Sequence, residues 1–259
     1  PTVATDPRPP RPGRWLVLLA FGLLVACTQV LWLSFAPVTT QVHQALRVSD
    51  GAVGDLAVIN PIMYVLLAIP TGRWLDRRFT HALLAGAALT AVGALLRAVD
   101  PSSYPLILVG QVVLSAGQPL VLNASTKIAA RYFPPAQRTA AISVAGAAQF
   151  VGILVAATTA SPLLQAGGLR LILVGDAAVT VAVALAVGVA LRTPAVYAAD
   201  APRSTSLGWL RHDRLMWRLA GLLFIGVGVF NAVATWLDTI LADLGHPGVG
   251  GTLIAVMTA

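Results

Sequence analysis

Seven apolar runs, each long enough to cross a lipid bilayer, limit what this chain can fold into. A helix needs about 20 predominantly apolar residues to cross roughly 30 Å of hydrocarbon, because it rises about 1.5 Å per residue. The runs, numbered in chain order, lie at 15–38, 52–71, 81–99, 104–126, 138–160, 169–191 and 216–241, and an eighth begins near Val249. The sequence therefore predicts an all-α membrane protein with at least six membrane-spanning helices and no sheet.

The composition also favours a membrane protein over a soluble domain. Hydrophobic residues make up 57% of the 259 residues and charged residues only 10%, whereas a soluble domain carries about 25% charged residues. The net charge of +7 would suit a nucleic-acid partner, but the charges form short clusters between apolar runs, so we expect none.

The distribution of the basic residues predicts the orientation. Lys and Arg favour the cytoplasmic side of a membrane. With the N-terminus inside, 14 of the 17 basic residues fall in cytoplasmic segments, and only Arg47, Arg97 and Arg170 fall in outer ones. The cytoplasmic set is Arg8, Arg11, Arg14, Arg73, Arg77, Arg78, Lys127, Arg131, Arg138, Arg192, Arg203, Arg211, Arg214 and Arg218. We therefore expect a multi-pass protein of the cell (inner) membrane with a cytoplasmic N-terminus.

The longest polar interval follows run six and divides the chain. Pro194, Pro202, Ser204 and Ser206 mark this interval as a linker. We expect a cytoplasmic tail at 1–14, a six-helix bundle at 15–192, a cytoplasmic linker at 193–214, and the first helix and part of the second helix of a C-terminal bundle at 215–259. The chain is thus expected to be a fragment, because it stops inside an apolar run.

A charged motif lies between runs two and three, at Gly72–Arg78. It resembles the loop signature of the major facilitator superfamily, G-x-x-x-D-R-x-G-R-[KR], in which Gly72, Asp76 and Arg77 match. The second Gly and the basic tail are replaced by Phe79, Thr80 and His81. In a short cytoplasmic turn, Asp76 can cap a helix N-terminus or pair with an Arg of a neighbouring helix. The resemblance implies a gate at the inner surface; ordinary positive-inside charge is the alternative.

Three further segments narrow the resemblance: Thr28–Pro37 in run one, Gly117–Phe133 at the end of run four, and Phe230–Leu237 in run seven. Together they resemble the feline leukaemia virus subgroup C receptor-related branch, a haem and choline transporter-like family with bacterial relatives. The resemblance implies a central cavity lined by spans one, four, seven and ten. It also implies that a Trp of span one and a Gln of span four line the site, and Trp32 and Gln118 match those positions.

Helix geometry groups other polar residues with these two. Shared helix faces join the following sets: Gln29 with Trp32; Gln111 and Ser115 with Gln118; Asn60 with Tyr64; and Asn231 with Thr235 and Asp238. A Trp face attracts an organic cation by about 0.5–2 kcal/mol, and an amide without a partner is costly inside lipid. The predicted substrate-binding residues are Trp32, Gln118, Gln29, Gln111 and Asn231. For each amide, a hydrogen bond to a neighbouring helix is the alternative.

Two acidic residues are candidates for coupling transport to an ion. Asp176 lies about two turns into run six, and an ionisable residue at such depth is a functional hypothesis. Its alternative is a place at the outer interface. Asp238 lies near the outer end of run seven, where solvation is the alternative.

These features favour a secondary transporter that moves a small organic solute by alternating access, and within that class a facilitator for an organic cation. A proton-coupled efflux antiporter of the same fold is the alternative, although run four has no Arg and run five lacks the pattern G-x-x-x-G-P-x-x-G-G. A membrane receptor is the alternative from another class; a seven-helix receptor would have its N-terminus outside.

No motif suggests catalysis. The four His are scattered without metal-binding spacing, and the sequence contains neither a Gly-rich phosphate loop nor a Gly-x-Ser-x-Gly elbow. We expect no enzyme activity, no cofactor and no metal. The expected partners are the lipid bilayer and a small-molecule substrate, and we expect a monomer.

Overall fold

The structure, a computed structural model, describes residues 13–197, 213–245 and 250–258. These residues form helices and no strand. The helices are α1 Arg14–Leu33, α2 Thr39–Leu46, α3 Asp50–Arg77, α4 Phe79–Val99, α5 Tyr104–Leu122, α6 Ser125–Tyr132, α7 Pro135–Ala190, α8 Arg214–Asp243 and α9 Gly250–Thr258, with a 3₁₀ turn at Ala36–Val38. Six helical stretches in this part of the chain are long and apolar enough to cross a bilayer, and α7 counts as one of them. The prediction of an all-α membrane fold is confirmed.

The 56-residue helix α7 is two spans joined by a sharp break. Gly167 and Gly168 depart from helical geometry, and Gly168 has φ 65°, which glycine adopts without a steric penalty. The two parts, 135–166 and 169–190, run antiparallel, because Ala145 and Val187 lie in one core cluster. Runs five and six of the sequence are therefore a tight helical hairpin.

The first span ends earlier than its apolar run. Helix α1 stops at Leu33, four residues before Pro37, and Pro37 has no N–H to donate to the Leu33 carbonyl. The 3₁₀ turn and the short helix α2 then follow the end of α1. At this break the Ser34 hydroxyl oxygen lies 2.7 Å from the Val30 carbonyl oxygen.

Helices α4 and α5 pack as a tight antiparallel pair because glycines face each other along their contact. A Cβ built on Gly93 would lie 2.5 Å from the carbonyl oxygen of Gly110, and one built on Gly117 would lie 2.8 Å from that of Gly86. Small residues allow such close approach of helix backbones in membranes, where packing rather than water exclusion drives association.

The predicted tail and linker fall mostly outside the described residues, which omit 1–12 and 198–212. Helix α7 ends at Ala190, before the second gap, and helix α8 begins at Arg214, after it. The backbone N–H of Tyr197 donates to the Arg131 carbonyl at 3.1 Å, so the first linker residues pack against α6. The predicted domain boundaries stay predictions.

Candidate functional site

A cavity of about 530 Å³ lies between α1, α3, α5, the first part of α7, and α8. Its wall combines aromatic rings and amides, and none of the described residues that line it is charged. The polar and aromatic lining residues are Gln29, Trp32, Asn60, Tyr64, Gln118, Gln149, Phe150, Phe224, Phe230 and Asn231. Four of the five predicted substrate-binding residues therefore lie on one cavity wall.

Trp32 is held in place by a hydrogen bond to α3. Its indole N–H (Nε1) donates to the backbone carbonyl of Ala57 at 2.9 Å, and its side chain is 9% exposed. A buried indole N–H needs such a partner. The hydrogen bond therefore holds one edge of the indole ring against α3, and the residue lines the cavity.

Gln29 and Gln118 reach the cavity from α1 and α5. Gln29 donates through Nε2 to the Thr28 hydroxyl at 3.2 Å. Beside it, α7 approaches α1 so closely that a Cβ on Gly152 would lie 2.3 Å from the Ala26 carbonyl oxygen and 2.9 Å from the Gln29 Cβ. Gln118 is buried and lines the same cavity. The backbone contact at Gly152 thus sets the position of Gln29.

Asn60, on α3, is a cavity residue that is absent from the predicted substrate-binding set. Its side chain is 1% exposed, and neither its amide oxygen nor its amide nitrogen has a hydrogen-bond partner in the structure. One helical turn further, Tyr64 also lines the cavity, and its hydroxyl donates to the Asn123 Oδ1 at 2.7 Å. The shared face of Asn60 and Tyr64 was the signal in the sequence, but an amide on an apolar run more often bonds a neighbouring helix.

Gln111 lies outside the cavity, contrary to the prediction. It is fully buried, and its Oε1 accepts a hydrogen bond from Arg97 Nη1 at 3.1 Å. Nothing in the sequence indicated this contact, because Arg97 was expected in an outer segment, whereas it is 0% exposed and reaches Gln111 from α4. Gln111 is thus the partner of a buried cation.

Arg97 forms the centre of a polar cluster near the C-terminal end of α1. Its Nη1 also donates to the Leu31 carbonyl at 2.8 Å, and its guanidinium lies 4.6 Å from the centroid of the Phe35 ring. Its Nη2 lies 3.9 Å from Asp176 Oδ2, which accepts a hydrogen bond from the Ser34 hydroxyl at 2.8 Å. Asp176 therefore joins α7 to α1 and α4. The other coupling candidate, Asp238, has its side chain outside the described part of the structure.

The charged motif lies at the end of α3 and not in a turn. Helix α3 continues through Arg77, so only Arg78 separates it from α4. Asp76 does not cap α4; it accepts a hydrogen bond from Lys127 on α6 and forms an ion pair with it. Arg77 is exposed, and a Cβ on Gly72 would meet open space. The motif therefore ties the C-terminal end of α3 to α6.

The sequence is similar to transport proteins from several organisms. It is 32% identical over 252 residues to "Solute carrier family 49 member A3" of Danio rerio, a match that covers 90% of this chain and 53% of that protein. It is 27% identical over 146 residues to the "Choline/ethanolamine transporter FLVCR2" of Homo sapiens, covering 55% of this chain and 28% of that protein. The chain thus spans about half the length of the first of these relatives.

The fold is similar to that of solved transporters. A bacterial homologue of the human lysosomal transporter Spinster, in an inward-facing and unoccupied conformation, matches with a TM-score of 0.77 and 20% identity over 95% of this chain and 60% of that chain. A D-xylose–proton symporter matches with a TM-score of 0.60 and 16% identity over 94% of this chain and 64% of that chain.

Family membership follows from a sequence profile that matches nearly the whole chain. The profile is that of the Major Facilitator Superfamily, and it matches residues 12–259. The all-helical fold and its membrane-spanning helices agree with that match. This chain belongs to the Major Facilitator Superfamily of multi-pass membrane transporters.

Proposed function

We propose that the complete protein is a secondary transporter that moves a small organic solute across the cell membrane by alternating access. The observation that carries this proposal is the cavity, where the Trp32 indole and three amides, those of Gln29, Asn60 and Gln118, converge inside an apolar helix bundle. Polar groups at such depth are costly unless they meet a partner or a polar occupant. A solute that offers hydrogen bonds would supply that partner.

The preferred substrate is a small organic cation. Five aromatic rings line the wall, those of Trp32, Tyr64, Phe150, Phe224 and Phe230, and the negative face of an aromatic ring attracts a cation. Because the described lining residues carry no charge, ring faces and amide dipoles would hold the cation without an ion pair. The similarity to the "Choline/ethanolamine transporter FLVCR2" supports choline and ethanolamine as the first substrates to test.

The inner gate is assigned to Gly72, Asp76 and Arg77, with Asp76 acting through its ion pair with Lys127. Asp176 and Asp238 stay candidates for coupling. Asp176 already contacts Arg97 and Ser34 and does not line the cavity, which supports a facilitator over the second candidate, a proton-coupled antiporter. The proposal further assumes a monomer in the cell (inner) membrane, with a cytoplasmic N-terminus and no enzyme activity.

Flux into proteoliposomes containing the complete protein tests the function. We expect saturable uptake of radiolabelled choline or ethanolamine that a protonophore does not change. Trp32→Ala should raise the KM by about 10- to 30-fold, while Trp32→Tyr and Trp32→Phe should keep part of the affinity, because Trp is the strongest of the three rings.

The matched control is Trp15→Ala, at the other end of α1, where half of the side chain is exposed. Uptake no greater than that of empty liposomes for either compound would refute the organic-cation proposal. Collapse of uptake by a protonophore would favour the antiporter, and equal losses for Trp32→Ala and Trp15→Ala would refute the site.

A further inference from the structure

The hydrogen bond between Trp32 and α3 depends on an unusual acceptor. In an α-helix the carbonyl of each residue accepts from the N–H four residues later. For Ala57 that residue is Pro61, which lies inside α3 and has no N–H. The carbonyl that accepts the Trp32 indole N–H at 2.9 Å is therefore one that the helix itself leaves without its usual donor.

An unpaired carbonyl would be costly at this place. Ala57 is buried, as is Trp32, and within a membrane no bulk water replaces a missing backbone hydrogen bond. The indole N–H has the same need. The indole N–H and the Ala57 carbonyl therefore each supply the hydrogen-bond partner that the other lacks, and the bond fixes the ring edge of Trp32 against α3.

We infer that Pro61 is a positioning residue for substrate binding: by withholding its N–H it frees the Ala57 carbonyl, which then holds the Trp32 ring at the cavity. Pro61 itself lines the cavity, so its ring and that of Trp32 belong to the same wall. The inference rests on the proposed function only for the role of Trp32; the hydrogen bond between Pro61's helix and the indole stands apart from any substrate.

Restoring the missing donor tests the inference. In Pro61→Ala the new N–H competes for the Ala57 carbonyl. Because a carbonyl oxygen has two lone pairs, the indole bond should weaken and need not vanish. Pro70→Ala is the matched control, since Pro70 also lies inside α3 but is exposed and does not line the cavity.

The first measurement needs no substrate. In the complete protein labelled with ¹⁵N-Trp, the indole resonance of Trp32 is assigned by its loss in Trp32→Phe. We expect hydrogen exchange at that indole to become about 2- to 12-fold faster in Pro61→Ala, as for the loss of one net hydrogen bond, and to stay unchanged in Pro70→Ala. An unchanged Trp32 resonance and exchange rate in Pro61→Ala would overturn the inference. If Pro61→Ala does not yield folded protein, Pro61→Ser restores the same N–H.

The second measurement connects the bond to transport, with choline or ethanolamine, whichever the proteoliposomes take up. Pro61→Ala should raise the KM by about 2- to 12-fold in the wild-type background with little change in kcat. It should change the KM little in the Trp32→Phe background, because Phe has no N–H. Equal effects in both backgrounds would show that Pro61 acts without the indole and would overturn the inference. If neither compound is transported, the proposed function fails while the exchange measurement still decides the role of Pro61.

Discussion

Asn60 presents an amide to the cavity with neither of its polar atoms hydrogen-bonded in the structure. Desolvating an unsatisfied polar group costs about 1–3 kcal/mol, so a leucine of similar shape should be tolerated better in the empty protein. We therefore expect Asn60→Leu to raise the Tm and, at the same time, to raise the substrate KM by about 2- to 12-fold, as for one lost hydrogen bond.

The measurements for Asn60 are thermal unfolding of the purified protein and uptake into proteoliposomes. Thr90→Val is a suitable control, because the Thr90 hydroxyl is buried away from the cavity and donates to the Gly86 carbonyl at 2.8 Å. A fall in both Tm and affinity in Asn60→Leu would mean that the amide has a structural partner, contrary to this prediction.

Replacing one member of the Arg97–Asp176 ion pair should destabilise the protein more than replacing both. Truncating one partner of a buried pair leaves an uncompensated charge and typically costs about 3–5 kcal/mol, whereas replacing both can be nearly neutral. We expect Asp176→Asn and Arg97→Met each to lower the Tm strongly, and Arg97→Met with Asp176→Leu to recover much of the loss. Thermal unfolding measures this coupling.

The same variants separate a structural role of Asp176 from ion coupling. If Asp176→Asn keeps the wild-type Tm but abolishes a proton-dependent component of transport, the residue couples and the structural interpretation is wrong. Arg170→Gln, in an outer segment of the predicted topology, is the control for loss of a single charge.

The sequence could predict part of the site because helix periodicity is local. Periodicity placed Gln29 on the same face of the first span as Trp32, and both residues line the cavity. Helix periodicity could not tell that Gln118 lines the cavity and Gln111 does not. The polar residues continue along the whole span, whereas a cavity occupies only part of its length. Gln111 instead accepts a hydrogen bond from Arg97, and that contact depends on how α4 packs against α5.

At the scale of helices, the contact of α1 with α7 depends on the absence of a side chain at Gly152. A Cβ there would lie 2.3 Å from a backbone oxygen of α1, which no rotamer change can relieve. We expect Gly152→Ala to separate the two helices, to destabilise the protein by about 1–3 kcal/mol, and to impair uptake because Gln29 moves with α1. Thermal unfolding and uptake test this.

Gly175→Ala is the matched control, since it lies in the same helix α7 and a Cβ there meets open space. Equal Tm values for the Gly152→Ala and Gly175→Ala variants would contradict the close approach at Gly152.

The helices themselves were largely predictable, because a span needs a long apolar run whatever it packs against. The deviations occur where one residue overrides the run. Pro37 ends α1 at Leu33, before the apolar run itself ends. The motif expected as a turn continues α3 to Arg77, because nothing in Gly72–Arg77 breaks a helix as proline would.

At the scale of the whole molecule, the described part of the C-terminal segment packs against α1 and α3 of the first bundle. Ile254 of α9 lies in one core cluster with Trp32 and Leu33. A Cβ built on Gly54 of α3 would lie 2.9 Å from the ring of Trp236 on α8. At the C-terminal end of α3, the proposed inner end, the ion pair of Asp76 and Lys127 joins α3 to α6. In the proposed cycle the two ends open alternately, so the inner pair should influence rate more than affinity.

Asp76→Asn should accordingly slow transport and leave substrate binding intact. Both side chains of the pair are partly exposed, and such pairs contribute about 0.2–1 kcal/mol, so the expected loss in kcat is about 1.4- to fivefold. Lys127→Met should have the same effect, and the exchange Asp76→Lys with Lys127→Asp should restore part of the rate. Arg73→Gln, exposed at the same end of α3, controls for general loss of charge. Uptake rates measure the effect on transport, and equilibrium binding of the transported compound measures the effect on affinity. A gate at this pair would be ruled out if the Asp76→Asn protein kept the wild-type kcat, or if its affinity fell by as much as its kcat.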